Sequence, residues 1–124
     1  MKLKPSEQKK VNDFVRKYAN SMSKLNSNIV LSASIEHDKT LCAIGLILKH
    51  YIKTPFYSEF KTKNGLRPDL VAPLHVKKFI EVLHSESFFD WEKIKGKKYA
   101  ELGISKDDII FIKTDKSVSV NMLR

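Results

Sequence analysis

Two acidic residues stand where acidic residues are costly. Asp69 follows Pro68 and precedes the apolar Leu70-Val71-Ala72, and Glu81 lies twelve residues further on, inside Phe79-Ile80-Glu81-Val82-Leu83. A carboxylate in the middle of an apolar strand is expensive to bury unless something pairs with it. Two such carboxylates on neighbouring strands could converge, and like charges held together need a cation between them. Carboxylate oxygens suit Mg²⁺. The plainer reading is that both side chains form salt bridges with the many lysines.

Other residues could contribute. Glu59 could face the same pocket or face solvent. His84, Ser85 and Glu86 follow the Glu81 segment directly, where a strand end could supply polar groups or only a turn. His37, His50, His75 and His84 lack metal-ligand spacing such as His-x-x-x-His, so no zinc site is expected. Cys42 is the lone cysteine, which excludes an internal disulfide and a Cys-rich zinc site and points to a reducing, intracellular setting. There is no Gly-rich phosphate loop. Phe88, Phe89 and Trp91 could stack on bases, although core packing is the preferred reading.

The elements that must position these residues follow from periodicity. Val11, Phe14, Val15, Tyr18 and Met22 recur at steps of three and four, predicting an N-terminal helix over about 6–22, with a polar loop over 23–28. A second helix runs from about 34 to Pro55, with Leu41, Ile44, Ile47, Leu48, Tyr51 and Ile52 as its apolar face. Ser32 or Ser34 could cap it, and Glu36 falls in its first turn, where the helix dipole favours a carboxylate. Residues 56–62 alternate as a strand, Asn64-Gly65 signals a hairpin, and 66–72 returns, with Pro68 confining it to an edge or bulge. A third strand covers 78–84. Ser87 or Asp90 opens a helix marked by Trp91, Ile94, Tyr99 and Leu102, and Gly103 ends it. Residues 109–112 read as a buried strand and 118–123 as one more. The unit from 78 to 112 predicts a parallel crossover. The expected class is therefore α/β, a mixed central sheet flanked by helices.

Composition narrows the partners. A chain of 124 residues that is 42% hydrophobic can build one core, so a single domain over 1–124 is expected. Four glycines and four prolines exclude collagen-like and mostly disordered chains. Lys plus Arg number 23 against 14 Asp plus Glu, a net +9 that favours a polyanion, with nucleic acid the default, or else a well-solvated surface. The longest apolar run, 41–48, has eight residues, too short to cross a membrane, and no apolar segment follows the N-terminus, so neither membrane insertion nor secretion is expected.

Pro68-Asp69, a gap, and Glu81 on the next strand resemble the PD-(D/E)xK nuclease superfamily. That superfamily's core is a helix, a three-stranded meander, a helix and a further strand, which is similar to the order expected over 34–113. The resemblance is nearest to small archaeal Holliday-junction resolvases. It implies a restriction-endonuclease-like core and metal-dependent hydrolysis of phosphodiester bonds in DNA. The metal would be Mg²⁺ or Mn²⁺, held by Asp69, Glu81, the backbone carbonyl of Val82, and Glu36 as the glutamate of the first core helix. Lys61, Lys63, Arg67, Lys97 and Lys98 would contact the nucleic acid backbone, DNA rather than RNA. Resolvases act as symmetric dimers, so a homodimer is in scope, in the cytoplasm or at the nucleoid. No base-reading element is evident, so structure-specific or non-specific cutting is expected.

One position departs from the pattern. The superfamily's lysine would fall at 83, where this chain has Leu83. Two readings follow. A lysine of the next helix substitutes: Lys93, Lys95, Lys97 and Lys98 are present, Lys95 shares a face with Tyr99 and is preferred, and Lys98 lies one turn after Ile94. Alternatively catalysis is lost, and the domain binds nucleic acid on a degenerate nuclease fold. A small basic protein-interaction module gains if Glu36, Asp69 and Glu81 do not converge.

Overall fold

The computed structural model describes residues 2–20, 34–58, 60–84 and 88–124. Met22, the loop over 23–28, Ser32, Glu59, Ser85, Glu86 and Ser87 lie outside the described residues.

Helix α1 spans Pro5–Tyr18. Proline suits a first helical turn, where its missing N–H would have no partner, and the Lys4 N–H donates to Glu7 Oε1 at 3.0 Å. Val11 and Phe14 face the core. The helix stops short of the expected end because the chain leaves it for another partner: Ala19 is extended and bridges Thr62, while Asn20 N–H donates to the Lys61 carbonyl at 2.9 Å.

Helix α2 spans Ile35–Ile47 and is capped by Ser34, whose Oγ accepts the His37 N–H at 3.2 Å. A π-helical turn, Leu48–Ile52, prolongs it to Lys53, which ends it at φ 60°. The wider π turn changes the phase of the apolar stripe. That is why Tyr51, expected on the buried face, is 69% exposed, while Leu41, Ile44 and Leu48 are buried.

Residues 56–62 keep the expected alternation, with Phe56, Ser58, Phe60 and Thr62 all buried. Among the described residues Tyr57 bridges Val71 and Thr62 bridges Ala19. The turn closes with Gly65 N–H on the Thr62 carbonyl at 3.0 Å and Thr62 N–H on the Leu66 carbonyl at 2.9 Å. Gly65 has φ 82°, a conformation that only glycine adopts without strain.

Among the described residues the sheet has three strands, ordered β1 (Leu70–Val71), β2 (Phe79–Leu83) and β3 (Ile109–Lys113). β1 and β2 are antiparallel, with Leu70 opposite Ile80; β2 and β3 are parallel, with Glu81 opposite Phe111. The return strand is thus two residues, shorter than the expected 66–72. Pro68 has no N–H to offer a ladder, and the Asp69 amide is used otherwise. The crossover is α3 (Phe88–Trp91), a π turn over Glu92–Gly96, and α4 (Lys97–Glu101). Gly103, at φ 75°, follows it, and Ile104 N–H returns to the Tyr99 carbonyl at 3.0 Å. Residues 118–123 are not a strand. Val120–Leu123 is a 3₁₀ turn that buries Leu123, and the His75 imidazole donates to the Leu123 carbonyl.

The mixed sheet separates two cores. On one side Phe14, Phe60, Phe79, Leu83, Trp91 and Tyr99 pack together, and on the other Leu41, Ile44, Leu48, Leu70, Ile80, Val82 and Ile112. Side chains alternate across a strand, so Phe79, Glu81 and Leu83 share the first side, with Ile80 and Val82 on the second.

Candidate active site

Asp69 and Glu81 converge because the ladder between β1 and β2 stops at them. The register that pairs Leu70 with Ile80 would next oppose Asp69 and Glu81. There each carboxylate instead takes a main-chain amide of the other strand. Asp69 N–H donates to Glu81 Oε2 at 3.1 Å, and Val82 N–H donates to Asp69 Oδ2 at 2.7 Å.

Glu81 is 1% exposed. A carboxylate so deep survives only if its lone pairs are filled. Oε1 accepts Trp91 Nε1–H at 3.1 Å and Lys95 Nζ at 2.8 Å. Oε2 accepts the Tyr99 hydroxyl at 2.7 Å as well as the Asp69 amide. Trp91, Lys95 and Tyr99 follow one another at steps of four. On a regular α-helix they would drift round the axis by about 80°, and the π turn over Glu92–Gly96 offsets that rotation.

Lys95 is the preferred lysine of the sequence reading, and its Nζ reaches both acids, 2.8 Å from Glu81 and 3.5 Å from Asp69 Oδ1. Lys98 is exposed and takes no part. Leu83 is buried in the aromatic core.

Glu36 requires a correction. It is exposed, and none of the bonds that hold the two acids involves it. One residue along an α-helix is a rotation of about 100°, and it is His37, not Glu36, that turns inward. His37 Nε2 lies 3.5 Å from Asp69 Oδ1. Val82 enters through its amide, with its side chain in the aliphatic core. His84 pairs with Thr114 Oγ1 at 2.9 Å, away from the two acids.

The charges interlock. Burial pushes Glu81 above its ordinary value, Asp69's charge adds to this, and Lys95 and Tyr99 oppose it. Burial also pushes Asp69 upward, but the neighbouring His37 imidazole, the Lys95 charge and the Val82 amide outweigh it and leave Asp69 lowered. Desolvation works against the Lys95 ammonium, yet the two carboxylates raise it. His37 is raised, chiefly by the neighbouring Asp69 carboxylate. Burial holds Tyr99 well above its usual range.

Asp69 and Glu81 are the residues that could hold a cation. Among the described residues no three His, Cys, Asp or Glu side chains are grouped as a metal cage. Two carboxylates fit Mg²⁺ nonetheless, since that ion commonly uses one or two protein carboxylates and completes its shell with water and substrate phosphate. Both acids are already drawn to one positive charge, the Lys95 ammonium. A cation at Glu81 would take Oε1 from Lys95, because the lone pairs of Glu81 are otherwise filled.

Lys61, Lys63, Arg67, Lys97 and Lys98 are all exposed. Asn64 joins their two elements, donating to the Lys98 carbonyl at 2.9 Å and to Glu101 Oε2 at 3.1 Å. The turn that carries Lys61, Lys63 and Arg67 is thereby docked on the helix that carries Lys97 and Lys98.

Sequence reasoning missed Trp91, Tyr99 and His37 as site residues. The spacing of Trp91, Lys95 and Tyr99 was a signal for the first two. For His37 the signal was Ser34-x-x-His37, a cap that fixes the first turn of a helix. No helix among the described residues is long and apolar enough to cross a membrane. Compared with known proteins, the chain matches no family model, no curated protein and no solved structure.

Proposed function

We propose that the chain is a Mg²⁺-dependent nuclease that hydrolyses phosphodiester bonds in DNA. The observation that carries this reading is one ammonium, Lys95 Nζ in the π turn of the crossover, within 3.5 Å of the carboxylates of both Asp69, just before β1, and Glu81 on β2. A hairpin, a central strand and a parallel strand after a helical crossover support a restriction-endonuclease-like core around that pair.

When bound, Mg²⁺ or Mn²⁺ supplies an activated water and stabilises charge on the phosphate. The residues of the chain do the rest. Asp69 and Glu81 hold their carboxylates at fixed separation through the crossed amide bonds. Trp91 and Tyr99 keep Glu81 oriented and dry on one side. Lys95, 30% exposed at its side chain, is the group placed to meet a phosphate oxygen and neutralise its charge. The exposed lysines and Arg67 would follow the backbone, so binding should weaken steeply with salt. Junction-resolving activity, a homodimer and an intracellular location belong to the same reading.

Glu81's filled lone pairs favour a second reading, a nucleic-acid-binding domain that no longer cuts. The test is cleavage of junction, duplex and single-stranded DNA with Mg²⁺ or Mn²⁺, comparing wild type with Asp69→Ala and Lys95→Met. The nuclease reading expects cutting by wild type and loss in both variants. Binding without cutting establishes the second reading, and equal cutting by Asp69→Ala overturns the assignment of the site.

A further inference from the structure

Resting on the nuclease reading, we infer that His37 is a positioning residue for Asp69 and that it frees Lys95 to serve the substrate. Asp69 Oδ1 has two cationic or polar neighbours, His37 Nε2 and Lys95 Nζ, each at 3.5 Å. Oδ2 is engaged by the Val82 amide at 2.7 Å. Lys95 is closer to Glu81, at 2.8 Å. Without His37 the ammonium would be the only side-chain partner of Oδ1 among the described residues, and it would have to hold both acids at once. With His37 in place, Lys95 can leave Asp69 while the carboxylate stays where it is.

Local structure fixes the imidazole for this task. Ser34 caps α2 and accepts the amide of His37 itself, so the backbone that carries the ring is anchored. The side chain is 15% exposed, and its buried Nδ1 has no hydrogen-bond partner among the described residues. A buried polar atom without a partner calls for an explanation. Here the ring is aimed by what Nε2 does for Asp69 rather than by any bond of Nδ1. The nearest charged group to Nδ1 is Asp38, at 3.9 Å, beyond hydrogen-bond reach. The assignment also fits the position of Glu36: α2 contributes to the site through an imidazole, leaving the Glu36 carboxylate outside.

The experiment compares wild type, His37→Ala and His37→Gln, since glutamine can offer an amide N–H where the imidazole offers Nε2–H. Partners that orient a ligating group are commonly worth about 10- to 100-fold in activity. His37→Ala should lower kcat by that factor with KM for DNA unchanged, and His37→Gln should recover a large part of it. A second readout needs no cleavage. The Val82 amide proton reports its short bond to Asp69 Oδ2, so in proton–nitrogen NMR spectra it should move upfield in His37→Ala and return in His37→Gln. An unchanged Val82 amide in His37→Ala overturns the inference, as does equal loss in both variants at equal melting temperature. A wild type that binds DNA without cutting sinks the nuclease reading alone, and the Val82 amide then decides the role of His37.

Discussion

The two sides of the sheet are built from different materials. The side facing Leu41, Ile44 and Leu48 of α2 is aliphatic, with Ile80, Val82, Ile110 and Ile112 on the strands. The side facing the crossover helix is aromatic: Trp91 packs edge-on against Phe111 at 4.7 Å between centroids, and Tyr99 edge-on against Phe79 at 5.6 Å. Among the described residues only the second side contains a buried carboxylate, Glu81. Leucine and isoleucine offer a buried charge nothing. Tryptophan and tyrosine fill the same volume and bring an N–H and an O–H. An apolar wall can thus hold Glu81 because two of its core residues are donors. Asp69 lies where the sides meet, touched by His37 from α2 and by Lys95 from the crossover helix.

The largest break in that contrast is Glu81→Leu. It leaves Lys95, Trp91 and Tyr99 facing an alkyl chain, and removing one partner of a buried charge pair costs about 3–5 kcal/mol. Urea unfolding should show that loss, and cleavage should vanish. On the aliphatic side, Ile80→Ala should cost about 2–5 kcal/mol through cavity formation, yet the folded fraction should still cut DNA. An Ile80→Ala protein that is folded but inactive would mean the two sides do not divide labour in this way.

Tyr99→Phe tests the donor wall directly. It removes only the hydroxyl bonded to Glu81 Oε2, and hydrogen bonds to charged groups are worth about 1.5–3 kcal/mol. Denaturant midpoints should fall accordingly while the aromatic packing stays. Ser34→Ala should cost about 1 kcal/mol through the lost cap, with a larger effect on kcat than other α2 surface changes because His37 shifts with it.

The smallest effect is an acid limb. Asp69 is held below its ordinary 3.8, so its contribution to stability is complete above pH 3.8 and fades as pH falls through the folded value. Glu81 has the opposite sign: raised above 4.5, its contribution is complete below pH 4.5 and is lost as pH rises through the folded value. Asp69→Asn should therefore flatten the loss of stability below pH 3.8, read as urea midpoints across the acid range.

Much of this was legible in the chain. The alternation over 56–62, the Asn64-Gly65 turn, the apolar strands around Glu81 and the glycine after the crossover helix are local signals, set by side-chain period and backbone preference. Lys95 was legible too, because it shares a helix face with Tyr99. The C-terminal end of α1, the shortness of β1 and the 3₁₀ turn near the C-terminus were not. Each depends on a hydrogen bond to a distant segment, such as Asn20 with Lys61 or His75 with Leu123.

The sequence by itself determined the inventory: two acids placed in apolar surroundings, lysines on the following helix, a strong positive excess, and no lysine at 83. The tertiary structure decided which of these meet. It turned His37 inward and left Glu36 outside, because one residue on a helix is a large rotation and a cap at Ser34 sets its phase. It also made Trp91 and Tyr99 partners of Glu81, because a π turn keeps residues eight apart on one line. Periodicity names a face, but it does not say which atom on that face a buried charge will find.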